Sequence, residues 1–327
     1  MMNASPPELD PDRFTSTDVV VRGTRLRVTH AGTGGVPLLA IHGWPESRRI
    51  WGRIVEPLVA AGFEVVAPDL RGFGESEPGA DGLGDHIAHA LDMIELMEAI
   101  GHDRWVVMAG DLGGPVGVEA ALRAPERVDR MVLFNSPLPR LPDPFPPGVD
   151  AEFVASLRDR PAPEAMDYFI RQGTDADALA LELSTDEQRT KYVAQFYTDR
   201  GWAAPGAFSE DAAKFHAEPF GNREGFRATL RTYESVFDRS LRSDRARFAA
   251  TADLPMLLLH GTSDGVVAPD FGALAALTFP DCVGPVMLEG CGHFVQWEAA
   301  PQLVEHSVAF CADLLDGFAA SAASVEP

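Results

Sequence analysis

Two short alternating runs, Asp18 to Arg22 and Arg25 to Ala31, flank Gly23-Thr24 and predict a β-hairpin. Beyond them the pattern changes. Pro37-Leu38-Leu39-Ala40-Ile41 is apolar without alternation, as a strand covered on both faces must be. Phe63 to Ala67, Trp105 to Met108 and Arg130 to Phe134 repeat that pattern, and helix-period segments over 50–61, 85–100 and 112–123 separate them. Strands and helices in alternation predict a mainly parallel sheet with helices on both faces.

The alternation stops near Asn135. The segment from Pro137 to Pro147 is the densest proline run in the chain, and reads as a stiff crossing out of the core, because proline suits neither a helix interior nor a central strand. A mostly helical pattern follows, up to about Tyr233. Pro255 to Leu259 resumes the buried-strand type, Val286 to Leu288 predicts a last strand, and a helix over 301–315 closes the chain. The expected architecture is an eight-stranded, mostly parallel sheet. Its core comprises 1–136 and 237–327, and a helical cap, 137–236, is inserted after the sixth strand. The first thirteen and last ten residues, rich in Pro, Ala, Ser and Asp, read as loose ends, and no internal repeat is visible.

Composition narrows the class. A chain of 327 residues, 46% of them apolar, can build a substantial core. A formal charge of −22 argues against nucleic acid and anionic membrane surfaces as partners. Cys282, Cys291 and Cys311 match neither a zinc site nor a redox pair, and read as small buried hydrophobes. No signal peptide and no membrane-spanning run is visible, so a cytoplasmic protein is expected. Oligomeric state is not set by the sequence, and a homodimer stays open.

Candidate chemistry lies in four loops that follow apolar strands, where ligands bind in such sheets. They are His42-Gly43-Trp44-Pro45, Gly110-Asp111-Leu112-Gly113-Gly114, Gly261-Thr262-Ser263-Asp264 and Gly290-Cys291-Gly292-His293-Phe294. Ala109, Asp111 and Gly113 have the small-x-nucleophile-x-small spacing of a nucleophile elbow, a tight strand-to-helix corner that presents one side chain. The presented residue is a carboxylate, which makes an ester with an alkyl carbon and suits ring opening or displacement at carbon. The chain order nucleophile, Asp264, His293 is that of α/β-hydrolases.

With these motifs in place, the sequence from about Val19 to Leu315 resembles α/β-hydrolase-fold epoxide hydrolases. His42-Gly43-Trp44-Pro45 is similar to the family's HGxP motif, and Asp69 to Ser76 to its DxRGxGxS loop. Gly110 to Gly114 is similar to its G-x-D-x-G-G elbow, with Leu where Trp is common. Gly225 to Tyr233 is similar to a cap stretch that ends in a ring-opening tyrosine, and Tyr168 to the family's first cap tyrosine. The resemblance implies Asp111 as nucleophile, His293 as base for the hydrolytic water, and Asp264 as its orienting acid. It also implies Tyr233 and Tyr168 as proton donors to the opening ring, since a phenol stays protonated at neutral pH yet is more acidic than an alcohol. The backbone N–H groups of Trp44 and Leu112 would meet the oxyanion, and Trp44-Pro45 would be a cis peptide. Trp44, Pro45 and Phe294 would line the substrate site. The implied partners are a small-molecule epoxide and water, with no cofactor and no metal.

Other candidates read as structural. His42 supports loop shape, Tyr192, Tyr197 and Cys291 pack, and His86, His89 and His260 have no third partner at metal-ligand spacing. Two other functions share the fold. A haloalkane or haloacetate dehalogenase would use the same Asp-His-Asp set. Against it stand Leu112, where haloalkane dehalogenases typically carry Trp, and the absence of Arg from Leu112 to Gly117. A non-catalytic binder would be marked by loss of a triad member, and none is lost.

Overall fold

The computed structural model describes residues 13–137, 167–247, 253–267, 275, 279 and 281–323. It opens with the hairpin of β1 (Thr15–Val21) and β2 (Thr24–Ala31), whose turn residues Arg22 and Gly23 have φ of 49° and 76°, the left-handed pair that matches strand twist. Then come β3 (Val36–Ile41), α1 (Val55–Ala60), β4 (Phe63–Pro68), α2 (His86–Ala99), β5 (Trp105–Gly110), α3 (Gly113–Arg123) and β6 (Val128–Phe134). Helices α4 (Asp167–Thr174), α5 (Ala176–Glu182), α6 (Asp186–Thr198), α7 (Glu210–Ala217), α8 (Arg223–Thr229) and α9 (Arg231–Phe237) follow. The chain finishes with β7 (Met256–Gly261), β8 (Cys282–Leu288), α10 (Val295–Glu298), α11 (Ala300–Phe310) and α12 (Ala312–Ala323).

The eight strands form one sheet in the order β1-β2-β4-β3-β5-β6-β7-β8. The pairings of β2 with β1 and with β4 are antiparallel, and all the others are parallel. This is the α/β-hydrolase fold. The central strands β4, β5 and β7 are buried at every position, which is why their sequences do not alternate. Among the described residues β8 pairs only with β7, and its Pro285 fits an edge strand, where a missing N–H costs no ladder bond.

From β3 the chain crosses to β4 on one side, then returns to β5 on the other. The carboxyl ends of β3 and β5 therefore bound the crevice where strand order reverses, the usual ligand site of such sheets. β3 runs into His42-Gly43-Trp44-Pro45 and β5 into Asp111, so topology alone brings these two turns side by side.

The helix expected over 50–61 is a 3₁₀ turn, Arg48–Arg53, followed by α1. Pro57 explains the division, since proline is accommodated only in the first turn of a helix. The helix expected over 301–315 breaks at Cys311 (φ −104°, ψ 12°), and α12 then runs on to Ala323, into a tail expected to be loose. Most of the Pro137–Pro147 segment, and the amino-terminal end before Arg13, lie outside the described residues. Cys282, Cys291 and Cys311 are free thiols. Among the described residues no helix is long and apolar enough to cross a membrane.

Candidate active site

Asp111 sits in the left-handed region with φ 45°, a conformation that costs a non-glycine residue about 1–3 kcal/mol. Its backbone is held there from both sides. Its N–H donates to Asn135 O at 3.0 Å, and its carbonyl accepts from Gly114 N at 3.0 Å and Ser136 Oγ at 2.8 Å. The small neighbours are obligatory. A Cβ on Gly113 would collide with the Ile41 carbonyl, and one on Gly43 would lie 2.5 Å from Asp111 Cβ and Oδ1. The elbow thus packs against the β3 turn with no room for a methyl group.

The Asp111 carboxylate, 13% exposed, has its two oxygens committed differently. Oδ1 accepts the Trp44 backbone N–H at 2.8 Å, and Oδ2 lies 3.2 Å from His293 Nε2. His293 Nδ1 is 3.0 Å from Asp264 Oδ2, and the Asp264 side chain is wholly buried. The other Asp264 oxygen accepts the N–H groups of Val266 and Val267, at 2.7 and 3.2 Å. Burial opposes a charged His293. The Asp264 charge and the hydrogen bond to Asp111 outweigh it, so His293 titrates well above its usual 6.5.

The turn His42-Gly43-Trp44-Pro45 is buttressed from below. Leu70 N donates to His42 Nε2 at 3.0 Å, so Nδ1 carries the proton and donates to Gly43 O at 2.8 Å. Burial lowers His42 to about 4, which keeps it neutral in this role. Asp69 accepts the backbone N–H of Arg48 and of Glu75, and Arg71 forms a two-pronged pair with Asp92. The DxRGxGxS segment therefore holds the turn and supplies no reacting group. Trp44-Pro45 is cis. The Leu112 N–H makes no hydrogen bond among the described residues, which suits an oxyanion donor.

Tyr168, on α4, and Tyr233, on α9, meet at ring centroids 5.9 Å apart. The Trp44 indole stacks on Tyr168 at 5.8 Å and meets Tyr233 edge-on at 5.5 Å. Both phenols are pushed well above 10, by burial first and then by neighbours that include Asp111. Each is thus held in its protonated form at neutral pH. Phe196 and Trp202 close the aromatic surround.

Some candidates take other places. Phe294 is fully buried against Tyr197, Trp202 and Phe208, and backs the His293 turn. Pro45 is buried, and its carbonyl accepts the Tyr197 hydroxyl. Tyr192 accepts a hydrogen bond from Gln172 at 3.2 Å.

Three structural residues escape a reading of the sequence. Asn135 (φ 37°) joins three loops: its carbonyl takes Asp111 N–H, its Nδ2 donates to Gly292 O and His293 O, and its Oδ1 accepts Gly261 N–H. Its signal was a polar residue ending a buried strand, the same mark that singles out Asp111. Glu298 accepts N–H groups from Ala204, Gly292 and Phe294 and so ties the His293 turn to the segment after α6. Glu46 accepts Gly43 N–H at 2.5 Å and the Gln296 amide at 2.6 Å; burial, then the Asp111 charge, raise it to about 7.

A family model described as the alpha/beta hydrolase fold matches residues 36–300. The chain is 27% identical to a soluble epoxide hydrolase of Corynebacterium sp. (strain C12), over 92% of this chain and 98% of the relative. It is 28% identical to a 2-hydroxymuconate semialdehyde hydrolase of Pseudomonas sp. (strain CF600), over 98% of both. The crystal structure of an epoxide hydrolase A from Mycobacterium thermoresistibile superposes with a TM-score of 0.72 at 25% identity, covering 90% of this chain and 97% of that one.

Proposed function

The chain belongs to the α/β-hydrolase-fold family, and we propose that within it this enzyme is an epoxide hydrolase. Overall likeness alone does not choose, since relatives with different reactions match over similar lengths. The observation that carries the choice is an elbow carboxylate, Asp111, facing His293–Asp264 on one side and two cap tyrosines on the other. The helices α4 to α9 act as the cap; the inserted segment 137–236 carries them, with only Phe237 at the end of α9 falling on the core side of that boundary.

Asp111 Oδ2 attacks an epoxide carbon, the carbon–oxygen bond of the ring breaks, and the ring oxygen takes a proton from Tyr233 or Tyr168. The product is an alkyl ester on Asp111 and a phenolate. Esterification removes the Asp111 charge and with it one of the causes that keep His293 protonated. The imidazolium then yields its proton to the phenolate, which restores the tyrosine and leaves His293 neutral. Neutral His293 takes a proton from water, and the hydroxide adds to Asp111 Cγ. The developing oxyanion, Oδ1, is met by Trp44 N–H, already 2.8 Å away, and by Leu112 N–H. Collapse breaks the bond to the alkyl oxygen, which leaves as a diol hydroxyl with the proton of the added OH. Asp111 is again a carboxylate and His293 again charged. The aromatic surround of Trp44, Phe196 and Trp202 suits an apolar epoxide.

A dehalogenase would need donors for a leaving halide. The Trp44 indole N–H is 3.3 Å from Thr229 Oγ1, and Leu112 offers no side-chain donor. Turnover of a terminal aryl epoxide, an internal fatty-acid epoxide and bromoalkanes of matched size tests the choice. Diol formation should far exceed halide release and should vanish in Asp111→Ala with circular dichroism unchanged. Halide release exceeding diol formation would overturn it.

A further inference from the structure

At the amino-terminal ends of the parallel strands, displaced from Asp111 by about 20 Å along the strand direction, three chemistry-bearing side chains converge. Glu64 is the second residue of β4, His30 lies near the end of the adjacent antiparallel strand β2, and His102 falls between α2 and β5. His30 Nε2 is 2.7 Å and His102 Nε2 is 3.3 Å from the same oxygen, Glu64 Oε1. The three donor atoms lie within 4.8 Å of one another, and no other group of His, Cys, Asp and Glu among the described residues comes together so closely. Positions this far apart in sequence form no motif. Only the strand pairing assembles them.

Two further observations separate this cluster from an ordinary ion pair. His102 Nε2 is buried, yet has no hydrogen-bond partner among the described residues, although it faces Glu64. A buried imidazole nitrogen left in that state costs stability unless something accepts its lone pair. The second observation concerns Glu64. Its Oε2 accepts Gly34 N–H at 2.9 Å, which fixes the carboxylate and turns Oε1 toward both rings. The side chains are 31% (His30), 10% (Glu64) and 14% (His102) exposed, so the cluster opens to solvent on the His30 side.

We propose that His30, Glu64 and His102 bind a divalent cation of the zinc class, with water as the fourth ligand. Two imidazoles and one carboxylate suit zinc, whereas magnesium and calcium call for oxygen donors. Tetrahedral ligands at zinc distances stand about 3.3–3.6 Å apart. The His102–Glu64 pair already has that spacing, and the His30–Glu64 pair reaches it by a shift of less than about 1 Å by its most exposed member. The cation would pin β2, β4 and the approach to β5 together. Its effect is on the stability of the fold, remote from the reacting groups.

Calorimetric titration of the chelator-treated full-length protein with zinc chloride tests the site. One zinc per chain is expected. Affinity should fall by about 100-fold or more in His102→Ala and in Glu64→Gln, at or beyond the upper end of the 10–100-fold that loss of a merely supporting group costs. Zinc binding that is equally tight in both variants, or absent from the wild-type protein, would overturn the proposal. A second measurement needs no variant. Wild-type crystals soaked in zinc chloride should show their strongest anomalous peak between the three side chains, and a strongest peak elsewhere would overturn it too.

Discussion

The backbone N–H of Trp44 donates to Oδ1 of Asp111 at 2.8 Å. On the proposed mechanism this bond holds the nucleophile in the resting site and leaves the other oxygen to attack. During ester hydrolysis the same amide meets the oxygen on which negative charge develops, so the donor needs no rearrangement between the two steps. Gly43 is what permits the approach, since a Cβ there would lie 2.5 Å from Asp111 Cβ and Oδ1.

On the proposed mechanism the two cap tyrosines share the first step. Tyr233→Phe should slow ester formation by about 10²-fold or more, the usual reach of general-acid catalysis. Tyr168→Phe should have a similar or weaker effect, and the double variant should lose ring opening almost entirely. Rapid-quench measurement of ester formation checks this. An unchanged alkylation rate in Tyr233→Phe would remove that residue from the chemistry.

His293 should report the state of Asp111. In Asp111→Asn its ring pKa should fall, because one of the two carboxylates that raise it is gone, and an NMR titration reads this directly. Stability follows the same sign. The folded value lies above the unfolded 6.5, so the stabilisation is complete below about pH 6.5 and is lost as pH rises through the folded value. The melting-temperature gap between wild type and Asp111→Asn should therefore be widest in mild acid and close in alkali. A gap independent of pH would contradict the pairing.

His216 makes the opposite prediction. It is buried between Tyr197 and Trp297, with both ring nitrogens unpartnered among the described residues, and burial lowers it to about 3. The unfolded chain takes up this proton below about pH 6.5 and the folded chain does not, so this residue increasingly destabilises the fold as pH is lowered from about 6.5 toward 3. His216→Phe keeps the ring stack and removes that pH dependence. Its advantage in melting temperature over wild type should grow as pH is lowered, and a constant difference would show that His216 is charged in the fold.

The sheet is legible in the sequence because a strand covered on both faces must be apolar at every position, as β4, β5 and β7 are. The Asp111, Asp264 and His293 loops are legible because each breaks such a run with glycine and a polar group. Asn135, Glu298 and Glu46 are not legible in the sequence, although they hold those loops in place. They act through backbone groups far away in sequence, and an amide or carboxylate bound to N–H groups carries no spacing signature. The split at Pro57 was readable from proline alone, while the break at Cys311 has no comparable mark.

The most direct test concerns the covalent ester. Water has a pKa near 15.7 and cannot attack the ester at neutral pH without a base, whereas on the proposed mechanism the Asp111 carboxylate, already ionised, needs no base for its attack. His293→Gln should therefore open an epoxide and then stall. Intact-protein mass spectrometry after mixing with substrate should show a gain equal to the substrate mass, and peptide mapping should place it on Asp111, within 106–123. A variant that binds substrate and stays unmodified, or an adduct that maps to another carboxylate, would contradict the mechanism even if the wild-type enzyme hydrolyses epoxides.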